Sequence, residues 1–490
     1  MSQQLTEQNA ECEAQSTGPD PCGWFKTVLP LAIVAACAEL GIAILNNSTL
    51  PVYYRYGLKV SIFLYPWIMI PFFVSEALFK LPLGHLSDRF GRKPLIVLGA
   101  LVTVFTPQVL VHLHTHGLAA GAGILVILGF LRLFDGLGGA ALWPSVYSYV
   151  GDYVEENKRG AAMGLLNMVY MMSLAVSFLV GGLADDYFGP VFNHESTLGG
   201  QMRQVAHRIK QVGRHYRDTL QHHVNPAPMP APMPLPVPAE MTHAGHYFPS
   251  FFLASILFAI AALVATLMLK SKVKKVSANG EHHDENHTWS GFIEAVKCVP
   301  QYMLLAFVTF AGIGCIAPLV KIFALEEFHL NEQQVGVMTL WPALLIAAVA
   351  VPVGHLADKW GKTISVRLGF LLCSVGLWGI PILHALHDPN QYGFVVSATV
   401  MGLGFVLAFP SWMALLTTLS SESKRGTVLG AVSTAQGTGI LIGYVLGPTL
   451  YGHFGHIAPF ATAAGLVTGG FLLSVLFIRE GVVPELADAS

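Results

Sequence analysis

The sequence predicts an all-α membrane protein in which twelve transmembrane helices form two pseudosymmetric six-helix bundles. Three observations predict it: a strongly apolar composition, apolar stretches of helical length, and an internal repeat. Hydrophobic residues make up 53% of the 490-residue chain and charged residues only 11%. A mean hydropathy of +0.57 corresponds to more apolar surface than one soluble core hides, so we expect a lipid bilayer to surround most of the chain.

The apolar stretches are each about 20 residues long, enough for an α-helix to cross roughly 30 Å of hydrocarbon. They lie near 27–49, 61–82, 93–113, 120–142, 160–183, 249–270, 301–321, 334–354, 365–386, 392–417, 426–449 and 457–478. The predicted organisation is a cytoplasmic tail at 1–26, a six-helix domain at 27–270 with an outer insertion at 190–247, a cytoplasmic linker at 271–300, a second six-helix domain at 301–478 and a cytoplasmic tail at 479–490. The polar N-terminus lacks the basic start and apolar core of a cleavable signal, so helix 1 is expected to stay as a signal-anchor.

Charge indicates which side of the membrane each loop faces. A net charge of −2 and a pI near 6.8 leave no broad basic surface, so nucleic acid is not an expected partner. The loops after the even-numbered helices carry most of the basic residues, at Arg89, Arg92, Lys93, Lys158, Arg159, Lys270, Lys272, Lys274, Lys275, Lys359, Lys362, Lys424 and Arg425. The opposite short loops hold chiefly Arg55, Lys59 and Lys321. Because basic loops stay cytoplasmic, we expect a multi-pass protein of the plasma (inner) membrane with both termini in the cytoplasm.

An internal duplication fixes the predicted architecture. Residues 82–93 reappear, with few changes, as residues 352–362, and this places Asp358 270 residues after Asp88. Two further blocks, one on helix 4 and one just after it, recur in the same order 266 residues later. Three blocks in one order indicate two copies of a six-helix design, which is the parallel repeat of a transporter whose path lies between the halves.

Two motifs carry a resemblance to a known family. Residues 84–93, Gly-His-Leu-Ser-Asp-Arg-Phe-Gly-Arg-Lys, resemble the loop 2–3 signature of the major facilitator superfamily, and residues 132–136 resemble its helix 4 signature with Asp135 in place of the usual amide. Residues 443–448 resemble its antiporter signature, but on helix 11 rather than helix 5. The resemblance implies a secondary transporter that works as a monomer on a small-molecule substrate, without catalytic residues or cofactors.

The resemblance also implies a gate, because in similar transporters the loop 2–3 cluster latches helix 2 to helix 11 in one access state. Gly84 and Gly354 would let two helix backbones approach closely, and Asp88 would face the positive N-terminus of a packed helix. The alternative is a tight turn whose charges only set topology. The expected gating residues are Gly84, Asp88, Arg89, Gly91, Arg92, Lys93, Gly354, Asp358 and Gly361.

Charges inside the hydrocarbon region are the candidates for ion coupling, since each costs several kcal/mol there. Glu39 lies in the middle of helix 1 with no basic residue within a turn, so it either carries a proton or is neutralised by a partner on another helix. Arg132 and Asp135 are three residues apart, so they share one face of helix 4 and can pair. If Glu39 neighbours Arg132, the three form a proton or anion relay. The repeat places uncharged Ala398 and Met401 opposite the helix 4 pair, which predicts coupling in the first half alone.

Other polar and aromatic side chains are candidates to line the substrate path, although single amides and tryptophans also serve helix packing and interfacial belts. The candidates are Asn46, Asn47, Asn167, Tyr170, Trp341 and Gln436. Glycines after Gln436 leave the backbone of helix 11 room to bend or to pack closely, which favours this helix as part of a midplane site.

The insertion and the linker are the least family-like segments. Residues 202–220 have the pattern of a basic amphipathic helix, and the alternating prolines of 226–236 predict an extended spacer. Met229 and Met233, with histidines nearby, allow copper capture, but Pro-Met repeats are typical of spacers. The histidines and acids of 281–287 allow weak metal binding, but they are typical of a solvated linker. Neither segment nor the six cysteines have the ligand spacing of a metal site, and none is expected.

The predicted function is proton-coupled efflux of a drug-like or metabolite substrate by alternating access. The chain has no Gly-x-x-x-x-Gly-Lys-Ser/Thr nucleotide loop, so a proton gradient acting through Glu39 or Asp135 is the expected energy source. The alternatives are a proton-linked importer of a small organic solute, a transport-dead receptor or scaffold, and a metal transporter. The substrate itself is not encoded in any motif.

Overall fold

The computed structural model describes residues 23–115, 123–192, 244–270, 300–386, 390–419 and 425–478. All regular structure within these ranges is helical, which confirms the predicted fold class. The predicted amphipathic helix at 202–220, the proline spacer, the linker and most of both tails lie outside the described residues.

The helices follow the predicted order. They are α1 (Gly23–Ala43, continued by π-helical turns at Ile44–Thr49 and Tyr53–Gly57), α2 (Tyr65–Phe90), α3 (Arg92–Thr115), α4 (Gly123–Tyr153), α5 (Glu156–Phe192), α6 (Phe248–Met268), α7 (Pro300–Ile316), α8 (Glu332–Trp360), α9 (Lys362–Ala385), α10 (Gln391–Leu419), α11 (Arg425–Phe454) and α12 (Ala458–Phe477). After a bend of 42°, α7 continues as a short helix, Val320–Phe328, which we call the α7 extension.

Eight of these helices are by themselves long and apolar enough to cross a membrane, and the bent α7 pair makes nine. The other three, α2, α8 and α11, are 26, 29 and 30 residues long, so length does not exclude them. All three pack against the other half of the chain, α2 against α11 and α8 against α5. A helix that contacts protein rather than lipid on one face tolerates polar residues on that face, and its mean hydropathy is then lower. The lower hydropathy of α2, α8 and α11 is therefore consistent with twelve transmembrane helices.

Burial is inverted relative to a soluble protein. Large apolar side chains such as Val126 (74% exposed) and Leu267 (73%) lie on the outside, whereas Arg132, Lys321 and Glu332 are buried almost completely. Side chains of this kind face outward when the surrounding solvent is hydrocarbon, and charges then turn inward to meet partners.

Several helices extend beyond the predicted stretches. α1 runs to Gly57 instead of 49, α4 to Tyr153 instead of 142, and α5 to Phe192 instead of 183. The apolar stretches mark the part of a helix inside hydrocarbon, and the backbone remains helical past it. The prediction that Lys321 lies in a short loop after helix 7 is wrong, because this lysine lies in the α7 extension, where it is 1% exposed.

The signature segment between α2 and α3 is also more helical than predicted. Residues 84–90 belong to α2, and Gly91 alone connects α2 to α3, with φ 95° and ψ 159°. The same geometry recurs in the second half, where Gly361 joins α8 to α9 with φ 89° and ψ 150°. Only glycine reaches this backbone region readily, so the repeat preserves glycine where the connection requires it.

Gly91→Ala is expected to lower the free energy of unfolding by about 1–3 kcal/mol, because an alanine side chain strains a backbone of this conformation. Gly84→Ala is the matched control: it lies within α2, and no atom lies within 4 Å of the position its Cβ would take. Thermal unfolding of the purified variants in detergent measures both effects. Equal melting temperatures for the two variants would contradict the strained connection.

The bundle has two ends that differ in packing. We call the end that carries Gly91 and Gly361 the basic end, and the end that carries Gly57 and the α7 extension the opposite end. Near the opposite end α5 and α8 touch backbone to backbone, since a Cβ on Gly182 would lie 2.7 Å from the carbonyl carbon of Glu332.

Toward the basic end the helices part. Gly84 on α2 and Gly437 on α11 have no atom within 4 Å of a Cβ position, and Ser433 and Thr434 of α11 are exposed although they lie in a long helix. Within the part of the chain that the structure describes, the bundle is therefore closed at the opposite end and open at the basic end. No described atom outside α2 approaches the Cβ position of Gly84, and the role of Gly84 in a latch remains a prediction.

Candidate transport site

A buried ion pair lies inside the first half. Arg132 and Asp135 of α4 are separated by 2.9 Å between Nη1 and Oδ2, and the two residues are 2% and 8% exposed. The spacing of three residues brings both side chains to one face of the helix, as predicted. A pair held this deeply is stable only when further polar groups satisfy its remaining donors and acceptors.

Neighbouring helices supply those groups. Asn46, in the first π-helical turn of α1, accepts a hydrogen bond of 2.7 Å from Nη2 of Arg132. Thr106 of α3 donates a hydrogen bond to Asp135, and the guanidinium lies 4.9 Å from the ring centroid of Phe72 on α2. Nε of Arg132 is buried without a hydrogen-bond partner among the described residues. The pair therefore ties four helices of the first half together and keeps one donor unused.

Glu39 is buried too, at 4% exposure, but it is not part of this pair. No hydrogen bond or ion pair joins it to another described residue, and Arg132 uses Asn46 on α1 instead. Its electrostatic neighbours are Glu76 of α2 and the phenols of Tyr147 and Tyr170. The structure thus does not bring the predicted three-residue relay into direct contact.

Tyr147 and Tyr170 place Glu39 along the bundle. Tyr147 follows Arg132 along α4 toward the basic end, and Tyr170 lies on α5, which starts at that end. Glu39 therefore lies between the Arg132–Asp135 pair and the open basic end. Burial removes this carboxylate from water, and no described cationic side chain compensates its charge.

The substrate-lining candidates fall into three groups. Asn46 contacts the buried pair and Tyr170 lies near Glu39, with its ring 6.0 Å from that of Trp143. Gln436 is half-buried, and its Nε2 lacks a hydrogen-bond partner among the described residues. Asn47 is half-buried near Asn46, Trp341 is 65% exposed, and Asn167 lies on α5.

The signature residues lie at the basic end, as the sequence predicts for a gate. Arg92 donates to Asp152 at the end of α4 (2.9 Å) and to Ser87 of α2 (3.1 Å), which ties α2, α3 and α4 together. Asp88 and Asp358 lie in the last turns of α2 and α8, and Gly354 on α8. Arg89 is exposed, with its guanidinium 5.7 Å from the Phe90 ring, and Lys93 is half-exposed.

The opposite end is closed by a charged cluster that the sequence did not reveal. Lys321 of the α7 extension forms an ion pair with Glu332 at the start of α8 and donates a hydrogen bond of 3.0 Å to Ser48 of α1. His246, just before α6, lies 3.4 Å from Glu332 and 3.8 Å from Asp186 of α5. The Lys321–Ser48 and His246–Glu332 contacts join the two halves, whereas Lys321–Glu332 and His246–Asp186 each lie within one half. Buried charge is therefore not confined to the first half.

Backbone and carboxylate contacts extend this closure. The amide of Gln333 donates to Asp186 (2.7 Å), and Asp185 accepts a hydrogen bond from the amide of Ser250 (3.2 Å). Beside the cluster, Glu326 accepts hydrogen bonds from Tyr56 of the first half (3.0 Å) and from Tyr451 of the second. We call the residues Lys321, Glu332, His246, Asp185 and Asp186 the closing cluster. Its three carboxylates face one lysine and one histidine.

Comparison with known families now decides the class of the protein. The family model described as Major Facilitator Superfamily matches residues 31–193 and 302–489, which is most of both helical domains. The chain belongs to the Major Facilitator Superfamily. The match omits the segment that contains the predicted insertion and the linker, in agreement with their unusual composition.

Several curated relatives of the chain are named as multidrug resistance proteins. Multidrug resistance protein MdtG of Salmonella paratyphi C (strain RKS4594) is 29% identical over 187 residues, which cover 36% of this chain and 44% of that protein. Multidrug resistance protein 1 of Bacillus subtilis (strain 168) is 28% identical over 180 residues, covering 36% and 43%. The matches therefore span less than half the length of these relatives.

Solved structures of transporters share the fold over 92–93% of the chain. The D-xylose-proton symporter superposes with a TM-score of 0.65 at 14% identity, covering 93% of this chain and 98% of that one. The nucleoside transporter NupG superposes with a TM-score of 0.61 at 11% identity, covering 92% and 98%. These likenesses concern the fold alone, and the family match is the observation that identifies a transporter.

Proposed function

We propose that this superfamily member exports lipophilic organic cations in exchange for protons. The names of its relatives support efflux. The observation that carries the proposal is Glu39, a carboxylate buried without a cationic partner among the described residues and lying between the Arg132–Asp135 pair and the open basic end. The basic end would face the cytoplasm, because basic loops stay there.

The surroundings of Glu39 favour this substrate class. The carboxylate lies near the phenols of Tyr147 and Tyr170, and the indole of Trp143 adjoins both rings at 6.0 Å. Aromatic faces attract desolvated cations, and an uncompensated carboxylate adds a charge that a proton or a cationic substrate neutralises equally well. Binding of one would therefore displace the other, which is the elementary requirement of exchange.

The Arg132–Asp135 pair has a different task in this scheme. It is internally neutral and fully tied to α1 and α3, so it would position the helices around Glu39 rather than carry substrate. The unused donors on Arg132 Nε and Gln436 Nε2 are available to a substrate acceptor or a water molecule during the cycle.

Glu39→Gln is expected to abolish the dependence of transport on pH, because an amide keeps the shape of the acid but exchanges no proton. Liposomes that contain the purified protein are loaded with a fluorescent lipophilic cation. The flux of this dye across the membrane is followed with and without an imposed pH gradient. The wild type should move dye against its gradient when protons flow the other way. The variant should still bind the dye yet show the same flux with and without the gradient.

Glu155→Gln is the matched control, since Glu155 is an exposed glutamate in the connection between α4 and α5. It should behave as the wild type does. A gradient-dependent flux retained by Glu39→Gln would remove Glu39 from the mechanism, and wild-type flux that ignores the gradient would refute proton coupling. If the dye moved in the same direction as the protons, the result would support proton-linked import instead of efflux.

A further inference from the structure

Three side chains from distant parts of the second half meet at the opposite end. Glu327 lies near the end of the α7 extension, His384 near the end of α9, and His456 in the connection between α11 and α12. One carboxylate oxygen of Glu327 lies 3.3 Å from Nδ1 of His384, and the other lies 2.9 Å from Nε2 of His456. These three groups offer ligand atoms that all lie within 4.8 Å of one another. We call them the His-Glu-His triad.

The chemistry of the triad is that of a transition-metal site. Two imidazole nitrogens and one carboxylate oxygen are the ligands that catalytic and transported Zn²⁺ ions use, with bonds of about 2.0–2.2 Å and a fourth position for water. Ligands around one tetrahedral ion then lie about 3.3 Å apart, close to the separations between Glu327 and each histidine. Only a small movement of the two rings toward each other is needed.

The surroundings hold the triad while leaving it accessible. The Glu327 side chain is 9% exposed, whereas those of His384 and His456 are 43% and 44% exposed. The His456 ring packs against Phe323, with centroids 6.2 Å apart, and the two histidine rings are perpendicular at 5.5 Å. A small cleft bordered by Phe328, Leu383 and Asn390 reaches Glu327 and His384. An ion can therefore enter from solvent and meet a carboxylate already fixed in position.

We propose that Glu327, His384 and His456 bind a divalent transition-metal ion of the Zn²⁺ type at the opposite end of the second half. The ion would join the α7 extension, α9 and the α11–α12 connection. It is separate from the cation-binding region around Glu39, and the proposal does not depend on the substrate that is transported.

Binding has a structural consequence for the closed end. Glu326, next to the triad in sequence, accepts the hydrogen bond from Tyr56 and lies 3.5 Å from Arg55, both of the first half. A metal ion on Glu327 would fix the α7 extension and with it the carboxylate that meets the first half. The ion thus favours the conformation closed at the opposite end.

The test measures zinc binding by the full-length protein, purified in detergent with a tag free of histidine. Equilibrium dialysis against Zn²⁺ gives the number of ions per chain and their affinity, and Co²⁺ absorption reports the ligand geometry. His384→Ala and His456→Ala should each bind one ion fewer, or bind it more than about tenfold more weakly. His456→Cys should bind the ion that His456→Ala loses, because a thiolate is also a zinc ligand.

His453→Ala is the matched control, because His453 lies on the same stretch of chain with its ring 4.6 Å from Phe63, outside the triad. It should bind as many ions as the wild type. Histidines elsewhere, such as those of 281–287, contribute equally to all variants and cancel in the comparison. Unchanged stoichiometry and affinity in both alanine variants would show that the triad is only a hydrogen-bonded group and would overturn the proposal.

Discussion

Arg132→Met is expected to abolish transport and to lower the free energy of unfolding by about 3–5 kcal/mol, since it leaves the buried carboxylate of Asp135 without its cation. Asp135 would keep the hydrogen bond from Thr106, but a single neutral donor does not replace a guanidinium held at 2.9 Å. The loss is measured by denaturation of purified protein in detergent, alongside dye flux in liposomes.

The double variant Arg132→Met with Asp135→Leu separates stability from function. Removing both charges eliminates the buried ion, so most of the lost stability should return while transport stays absent. Arg92→Met is a useful comparison, because its ion pair with Asp152 lies at the basic end with one partner 31% exposed, and a smaller loss is expected there. Full transport by the single Arg132 variant would contradict a positioning role for the pair.

Lys321→Met is expected to open the opposite end. The substitution leaves Glu332, Asp185 and Asp186 facing one histidine in a buried space, and like charges without compensation cost several kcal/mol. A shift of about 5.5 kcal/mol suffices to turn a 99:1 preference into its reverse, so a change of this order moves a large fraction of molecules to the other access state. Lys321→Arg keeps the charge and should retain the closed end.

Spin labels report this change directly. Lys59 of the first half and Phe454 of the second are exposed at the opposite end, and each is replaced by a labelled cysteine in a background without native cysteines. The distance distribution between the labels should gain a longer component in Lys321→Met. Lys359→Met, an exposed lysine at the basic end, should leave the distribution unchanged. A single short distance in the Lys321 variant would mean that the closing cluster does not hold this end.

The sequence predicted the parts of this structure that repeat or that depend on local spacing. The two copies of the Asp88 and Asp358 block fixed the fold, and the three-residue interval between Arg132 and Asp135 predicted their pairing. The repeat and the three-residue interval can both be read directly from the sequence, so a single sequence is enough to predict the fold and this ion pair. The extent of α1 was underestimated because a helix does not end where the hydrocarbon does.

Contacts made by the fold were not predictable in the same way. Lys321 and Glu332 are separated by a bend, and only the packing of the α7 extension buries them together. His384 lies near the end of α9, 57 residues from Glu327, and His456 lies in the α11–α12 connection, so no local pattern brings these residues together. For Glu39 the sequence predicted a position inside the membrane region. It did not predict the neighbours of Glu39, because these depend on how α1, α2 and α4 pack.

Gly91 and Gly361 also decide what must move when access changes. Because consecutive Cα atoms are about 3.8 Å apart, a one-residue connection holds the two helix ends it joins within about 8 Å. α3 must therefore follow α2, and α9 must follow α8. Both trailing helices present large apolar side chains outward, such as Phe105 (64% exposed) and Val375 (56%). Each cycle accordingly displaces annular lipid, and the turnover rate should depend on the thickness and lateral pressure of the bilayer.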